Sequence, residues 1–124
     1  MRPPRDPGRH ARVYKIVDRA QLALVRTGRP WLGAPIDRTD GFIHFSAHDQ
    51  VMGTLRKHFA GRSDLVVLEL AVDRMDPRLL RWEVSRNGDL FPHLYGPMEG
   101  QMVIAEHPVS TTTAGAFESL TLEP

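Results

Sequence analysis

His44-Phe45-Ser46 and His93-Leu94-Tyr95 share one spacing, an imidazole two residues ahead of a hydroxyl. On an extended backbone, residues i and i+2 point the same way, so each segment can present both groups to one ligand. Neutral imidazole titrates near working pH, and two such units suit general acid–base work at a phosphate or ribose. Pro92 and Pro97 restrict the second segment, and Gly96 permits close approach of a ligand. His44 and His93 are therefore the candidate catalytic residues, with Ser46 and Tyr95 as candidate substrate contacts. Each also has a plainer reading. A histidine between phenylalanines suits a core that satisfies it with one backbone carbonyl, and Ser46 stands where a helix N-cap belongs, a role compatible with touching a ligand.

A second group is Arg81-Trp82-Glu83 with Arg86. On a strand, Arg81 and Glu83 share one face and Trp82 and Val84 the other. The plain reading is an exposed ion pair, worth little, over a buried Trp82. The functional one has Arg86 binding a phosphate and Trp82 or Trp31 stacking a flat ring. Tyr14 and Lys15 on the first strand pattern are open to either reading. Six histidines raise the question of a metal. His44 and His48 are four apart but straddle the boundary at Ser46, so they do not form a helical HExxH pair, and no carboxylate completes a cluster. No metal site is expected. His10 falls in the N-terminal tail and His48 and His58 on the polar side of a helix, so all three are expected at the surface.

These side chains need elements to hold them. VYKIV from Val13 reads as a strand running into Asp18, which with Gln21 makes a capping box for a helix from Arg19 to about Thr27, closed by Gly28. Arg29 to Asp40, with two prolines, reads as a loop. Phe42–Phe45 reads as a strand, followed by a helix capped by Ser46 and Asp49, with Val51, Met52, Leu55 and Phe59 on one stripe and Gly61 at its end. Leu65–Val72 is nearly continuous in apolar residues and so a covered central strand. A helical turn at Pro77–Leu80, a strand at Arg81–Val84 and the turn Asn87-Gly88 follow. The prolines of LFPHLYGP argue against a regular central strand. Met102–Ala105 reads as one more strand, and the chain beyond Ser110 is weakly patterned. The expectation is α+β, about five short strands and two main helices in one domain over residues 13–110, between a flexible tail at 1–12 and a C-terminal tail at 111–124.

Sixteen basic against fifteen acidic residues leave a net charge of +1, too little for a protein that grips phosphate backbones broadly. The absence of cysteine removes disulfides and thiolate chemistry and fits a reducing cytoplasm. No segment nears the ~20 apolar residues of a membrane span. A small-molecule or nucleotide ligand is the partner these residues suit, and nothing in the sequence speaks to oligomeric state.

The order YKI, Trp31, DGFIHFS, HFAG, DLVVLEL, WE-x-SR-x-G and LFPHLYGP resembles an uncharacterised bacterial family, domain of unknown function 952, over roughly Val13 to Ile104. The resemblance implies a compact relative of the ADP-ribosyltransferase fold, two small sheets around a cleft for NAD or an ADP-ribosylated group. NAD is the cofactor it brings into view. Tyr14, His44 and Ser46 match in kind the strand-borne groups such clefts use. Glu83 and Glu106 are the candidates for a transfer glutamate, although neither sits in the motif of that superfamily. RNA 2′-phosphotransferases of the same fold work with histidines and arginines, which keeps an NAD-using reading open for His44, His93 and Arg86. A two-histidine cyclic phosphoesterase and a non-catalytic binding module are the alternatives.

Overall fold

The computed structural model describes residues 10–85 and 88–124. Arg12–Asp18 forms β1, whose burial follows from a run of Val13 to Val17 with no exposed position. Asp18 then caps α1 (Arg19–Arg26): its carboxylate accepts from the Gln21 backbone N–H at 2.8 Å, and the Gln21 side chain accepts from Asp18 at 3.0 Å. Both halves of the expected capping box form. Gly28 follows the cap with a φ of 78°, which only glycine adopts without strain.

The stretch read as a loop holds a second helix, α2 (Pro35–Asp40). Its signals are present in retrospect. Pro35 occupies the first helical position, Asp37 the N3 position, and Gly41 closes the helix with φ at 85°. Two prolines and a length of six residues hid it. β2 is only Ile43–His44. Ser46 does not cap the next helix, because α3 (Val51–His58) starts five residues beyond it. The Gln50 side chain instead accepts from the Ala47 backbone N–H at 2.9 Å and holds the intervening turn. The apolar stripe of α3 is as expected, with Val51 and Leu55 fully buried and Met52 and Phe59 packed beside them.

Leu65–Ala71 is β3, and β4 (Leu80–Val84) pairs with β5 (Leu90–Leu94), with the Ser85 N–H donating to the Asp89 carbonyl at 2.8 Å; Asn87 of the expected Asn87-Gly88 turn lies outside the described residues. β6 is Val103–Pro108. The strands make two antiparallel sheets, β1-β3-β6 and β2-β5-β4. β3 is central in the first, as its apolar run predicts. β5 is central in the second, against expectation. Pro92 survives there because Phe45 donates to its carbonyl at 2.9 Å, while the return bond that proline cannot give falls where β2 has already ended.

The sheets meet at an isolated bridge, Tyr14 with Ser46, through backbone bonds of 2.8 and 2.9 Å. One core gathers Val13, Val17, Trp31, Phe45, Leu68, Leu70 and Met98. The other gathers Tyr14, Ile16, Val51, Leu55, Leu65 and Val67, and Phe117, Leu120 and Leu122 of the C-terminal segment pack on it. The protein is thus α+β, with six strands and three helices among the described residues. No helix among them is long and apolar enough to cross a membrane.

Candidate functional site

β2 and β5 set His44 directly opposite His93. The two rings meet edge to face with centroids 5.3 Å apart, and both line a cleft of about 560 Å³ between the two sheets. Phe42, two residues before His44 on the same face, stacks on His93 at 4.1 Å and fixes its plane. The walls are apolar (Ile16, Ile36, Phe45, Phe59 and Phe91), with hydroxyls from Ser46, Thr54 and Ser85. A volume of this size falls within the range of pockets that hold small molecules.

Each histidine is held from behind by a carboxylate. Asp37, which has no exposed side-chain surface, lies 2.6 Å from His44 Nδ1 and accepts from the His44 backbone N–H at 3.0 Å. It also accepts from Ala34 N–H at 2.7 Å and pairs with the buried Lys15 at 2.9 Å. The Lys15 ammonium donates in turn to the His44 carbonyl at 2.9 Å. Burial alone would raise the Asp37 pKa, but the bond to His44 and the charge of Lys15 outweigh it and hold the carboxyl at about 2. The same burial lowers the Lys15 pKa, opposed by Asp37. The second nitrogen of His44, Nε2, lies 3.0 Å from the carboxylate of Asp40.

His93 Nδ1 meets Glu83 Oε1 at 2.9 Å, and the Tyr95 hydroxyl donates to the same oxygen at 2.6 Å. Burial lowers the His93 pKa against the opposing pull of Glu83. The Tyr95 bond and then the His93 bond hold the Glu83 carboxyl below its ordinary value. His93 Nε2 makes no hydrogen bond to a described residue and is not sealed from the cleft.

The expected site residues divide accordingly. His44, His93, Tyr14 and Ser46 all line the cleft. Ser46 pairs its hydroxyl with Thr54 at 3.2 Å. The Tyr14 hydroxyl donates to the Glu123 carbonyl at 2.7 Å, and burial followed by the charge of Glu69 pushes its pKa up to about 12. Glu83 and Tyr95 act behind His93. The exposed ion pair between Arg81 and Glu83 does not form; Arg81 lies over the Tyr95 ring instead, 5.3 Å from its centroid. Two aromatic candidates fall elsewhere: Trp31 is core, bridged to Met98, and Trp82 packs on that core and against His10 at 4.8 Å. His10 and His48 are correspondingly half-buried rather than solvated, while His58 is exposed at the cleft. Glu106 pairs with Arg26 on the far edge of the first sheet. Arg86 lies outside the described residues. No group of three or more histidines and carboxylates among the described residues is arranged to hold a metal ion.

Sequence reasoning missed Asp37 and Asp40, because both lie in the helix read as a loop. The capping signature of α2 was the available signal for Asp37.

Comparison with known proteins agrees with this architecture. Two structures of CC0527 from Caulobacter crescentus are similar to the chain. The crystal structure is 34% identical with a TM-score of 0.79, covering 86% of this chain and 93% of that one. The solution NMR structure is 36% identical with a TM-score of 0.73, covering 85% and 90%. No curated protein matches. The family described as "Protein of unknown function (DUF952)" matches residues 16–106, most of the chain, and the protein belongs to that family.

Proposed function

We propose that the cleft binds a nucleotide of the ADP-ribose or NAD class and that His93, oriented by Glu83, is its acid–base group. The observation that carries this reading is the pairing of His44 and His93 across one cleft, each backed by a carboxylate, with no described residue bonded to His93 Nε2. A carboxylate on one nitrogen fixes tautomer and ring orientation, which proton transfer at the other nitrogen requires. Apolar walls suit a base, and the hydroxyls of Ser46, Thr54 and Ser85 suit a ribose. The arrangement of two small sheets about the cleft supports the likeness to ADP-ribosyltransferase folds drawn from the sequence.

One observation favours a binding module over a transferase. The Glu83 carboxylate is engaged by His93 and Tyr95 and does not line the cleft, so no glutamate among the described residues faces a ribose there. The cyclic phosphoesterase reading loses its footing for a related reason, since the Tyr95 hydroxyl points at Glu83 and not beside His93 Nε2. Titration with ADP-ribose and NAD, followed by NMR of the histidine rings, tests the proposal. The expected result is saturable movement of the His93 and His44 signals, lost in His93→Ala. Silence at millimolar ligand rejects the pocket, whereas binding without nicotinamide release on prolonged incubation selects the module.

A further inference from the structure

Beyond Ser110 the chain first closes a small loop on itself. The Glu118 N–H donates to the Ser110 carbonyl at 2.8 Å, and the Thr112 N–H to the Ala116 carbonyl at 2.7 Å. Residues 119–124 then run on without a backbone–backbone hydrogen bond among the described residues. Two things hold them. Phe117, Leu120 and Leu122 are half-buried on the second core, while Glu118, Ser119, Thr121 and Glu123 between them are exposed. The Tyr14 hydroxyl donates to the Glu123 carbonyl at 2.7 Å. Leaving this seat breaks no strand pairing, and segments held by so few ordered bonds belong to the low-stability end of a structure. The segment also lies outside residues 16–106, which the family matches.

The seat matters because of what it adjoins. Tyr14, Ile16 and Phe59 belong to the core on which the segment packs, and all three line the cleft. The core under the segment is therefore also a wall of the cleft. Tyr14 joins the two most directly. Its hydroxyl holds the segment, and its backbone pairs with that of Ser46, another cleft residue, at 2.8 and 2.9 Å. In a densely packed interior, packing lost on one side of a side-chain layer is felt on the other.

We propose that residues 117–123 form a releasable strap that sets the shape of the cleft wall, so that strap docking and cleft occupancy are coupled. The docked strap holds Tyr14, Ile16 and Phe59 in the positions a ligand meets, and its release loosens them and weakens binding. By reciprocity, a ligand that packs on this wall holds the strap down by the same factor. The device concerns the wall and not the ligand's chemistry, so it stands apart from the nucleotide reading.

The test uses the full chain carrying Leu120→Ala and Leu122→Ala together, with Leu122→Ala alone as the milder variant should the pair fail to fold. Its first arm needs no ligand. Cleavage at Glu118 by a glutamate-specific protease should be several-fold faster in the variants. In NMR spectra the Ile16 and Phe59 signals should move, and those of Ser46 and His44 across the cleft should move with them, while the Trp31 indole in the other core stays in place. Unchanged cleavage overturns the proposal. Movement confined to Tyr14, Ile16 and Phe59 also overturns it and leaves the strap as packing alone, as does movement that Trp31 shares equally. The second arm adds ADP-ribose. Its affinity should fall by about fivefold or more in the variants, the ordinary scale of coupling between sites, and it should slow wild-type cleavage at Glu118 by the same factor. Equal affinity in all the proteins overturns the coupling, whereas failure of ADP-ribose to bind rejects the nucleotide reading and leaves the first arm to decide this one.

Discussion

Asp37 carries more of the site than its place in a short helix suggests. It binds two backbone amides, a lysine and a histidine while wholly buried. Removing one partner of such a pair leaves an uncompensated charge, so Asp37→Ala should cost about 3–5 kcal/mol; chemical denaturation at neutral pH measures it. The titration of Asp37 adds a pH dependence. Its folded pKa of about 2 lies below the ordinary 3.8, so the ionised form is the one that folding favours. The resulting stability, roughly 2 kcal/mol, is fully present above the ordinary value and disappears as pH falls through the folded one. Denaturation between pH 5 and pH 2 should show this loss in the wild type. The Glu83–His93 bond gives a second residue-scale prediction. Burial lowers the His93 pKa and Glu83 raises it, so Glu83→Gln should lower it further. An NMR titration of the His93 ring that stays in place would show that Glu83 does not govern it.

At the scale of elements, α2 is a mount for Asp37, and Gly33 is what lets it close. A Cβ at Gly33 would lie 2.6 Å from Asp37 Cβ and Oδ2, and its φ of 99° is already hostile to other residues. Gly33→Ala should therefore destabilise by about 1–3 kcal/mol and also disturb the His44 signals, which a change confined to the loop would not do. In β3, Leu68 is fully buried at the centre of its sheet, and Leu68→Ala should cost about 2–4 kcal/mol by leaving a cavity; a thermal melt reads it. Strand β3 and helix α1 were legible because their signals are local: an unbroken apolar run and a capping box. His44 was legible as well, since a polar residue between two phenylalanines stands out. Helix α2 and strand β5 were not, because what permits them is non-local. Six residues make a helix at 35–40 only with Lys15 and His44 to satisfy Asp37, and Pro92 sits in a central strand only because β2 stops beside it. Asp37, behind His44, was hidden for the same reason, whereas Glu83 was named from the sequence but as a transfer group rather than as the partner of His93.

On the scale of the whole molecule, the segment beyond Ser110 lies along the second core with no helix or named strand of its own. Phe117, Leu120 and Leu122 cover Tyr14, Ile16 and their neighbours, and Tyr14 reaches the Glu123 carbonyl. Tyr14→Phe should cost about 1 kcal/mol by losing that bond, detectable as a lowered denaturation midpoint with the fold unchanged. The bridge between Tyr14 and Ser46 has a consequence for motion. These two backbone bonds tie one sheet to the other along the cleft wall, so any parting of the sheets wide enough to admit a ligand from that side must break them. The amide protons of Tyr14 and Ser46 are thereby natural clocks of cleft opening. Their exchange with solvent should be faster than that of the Leu68 amide inside β3, and it should slow when the cleft is filled.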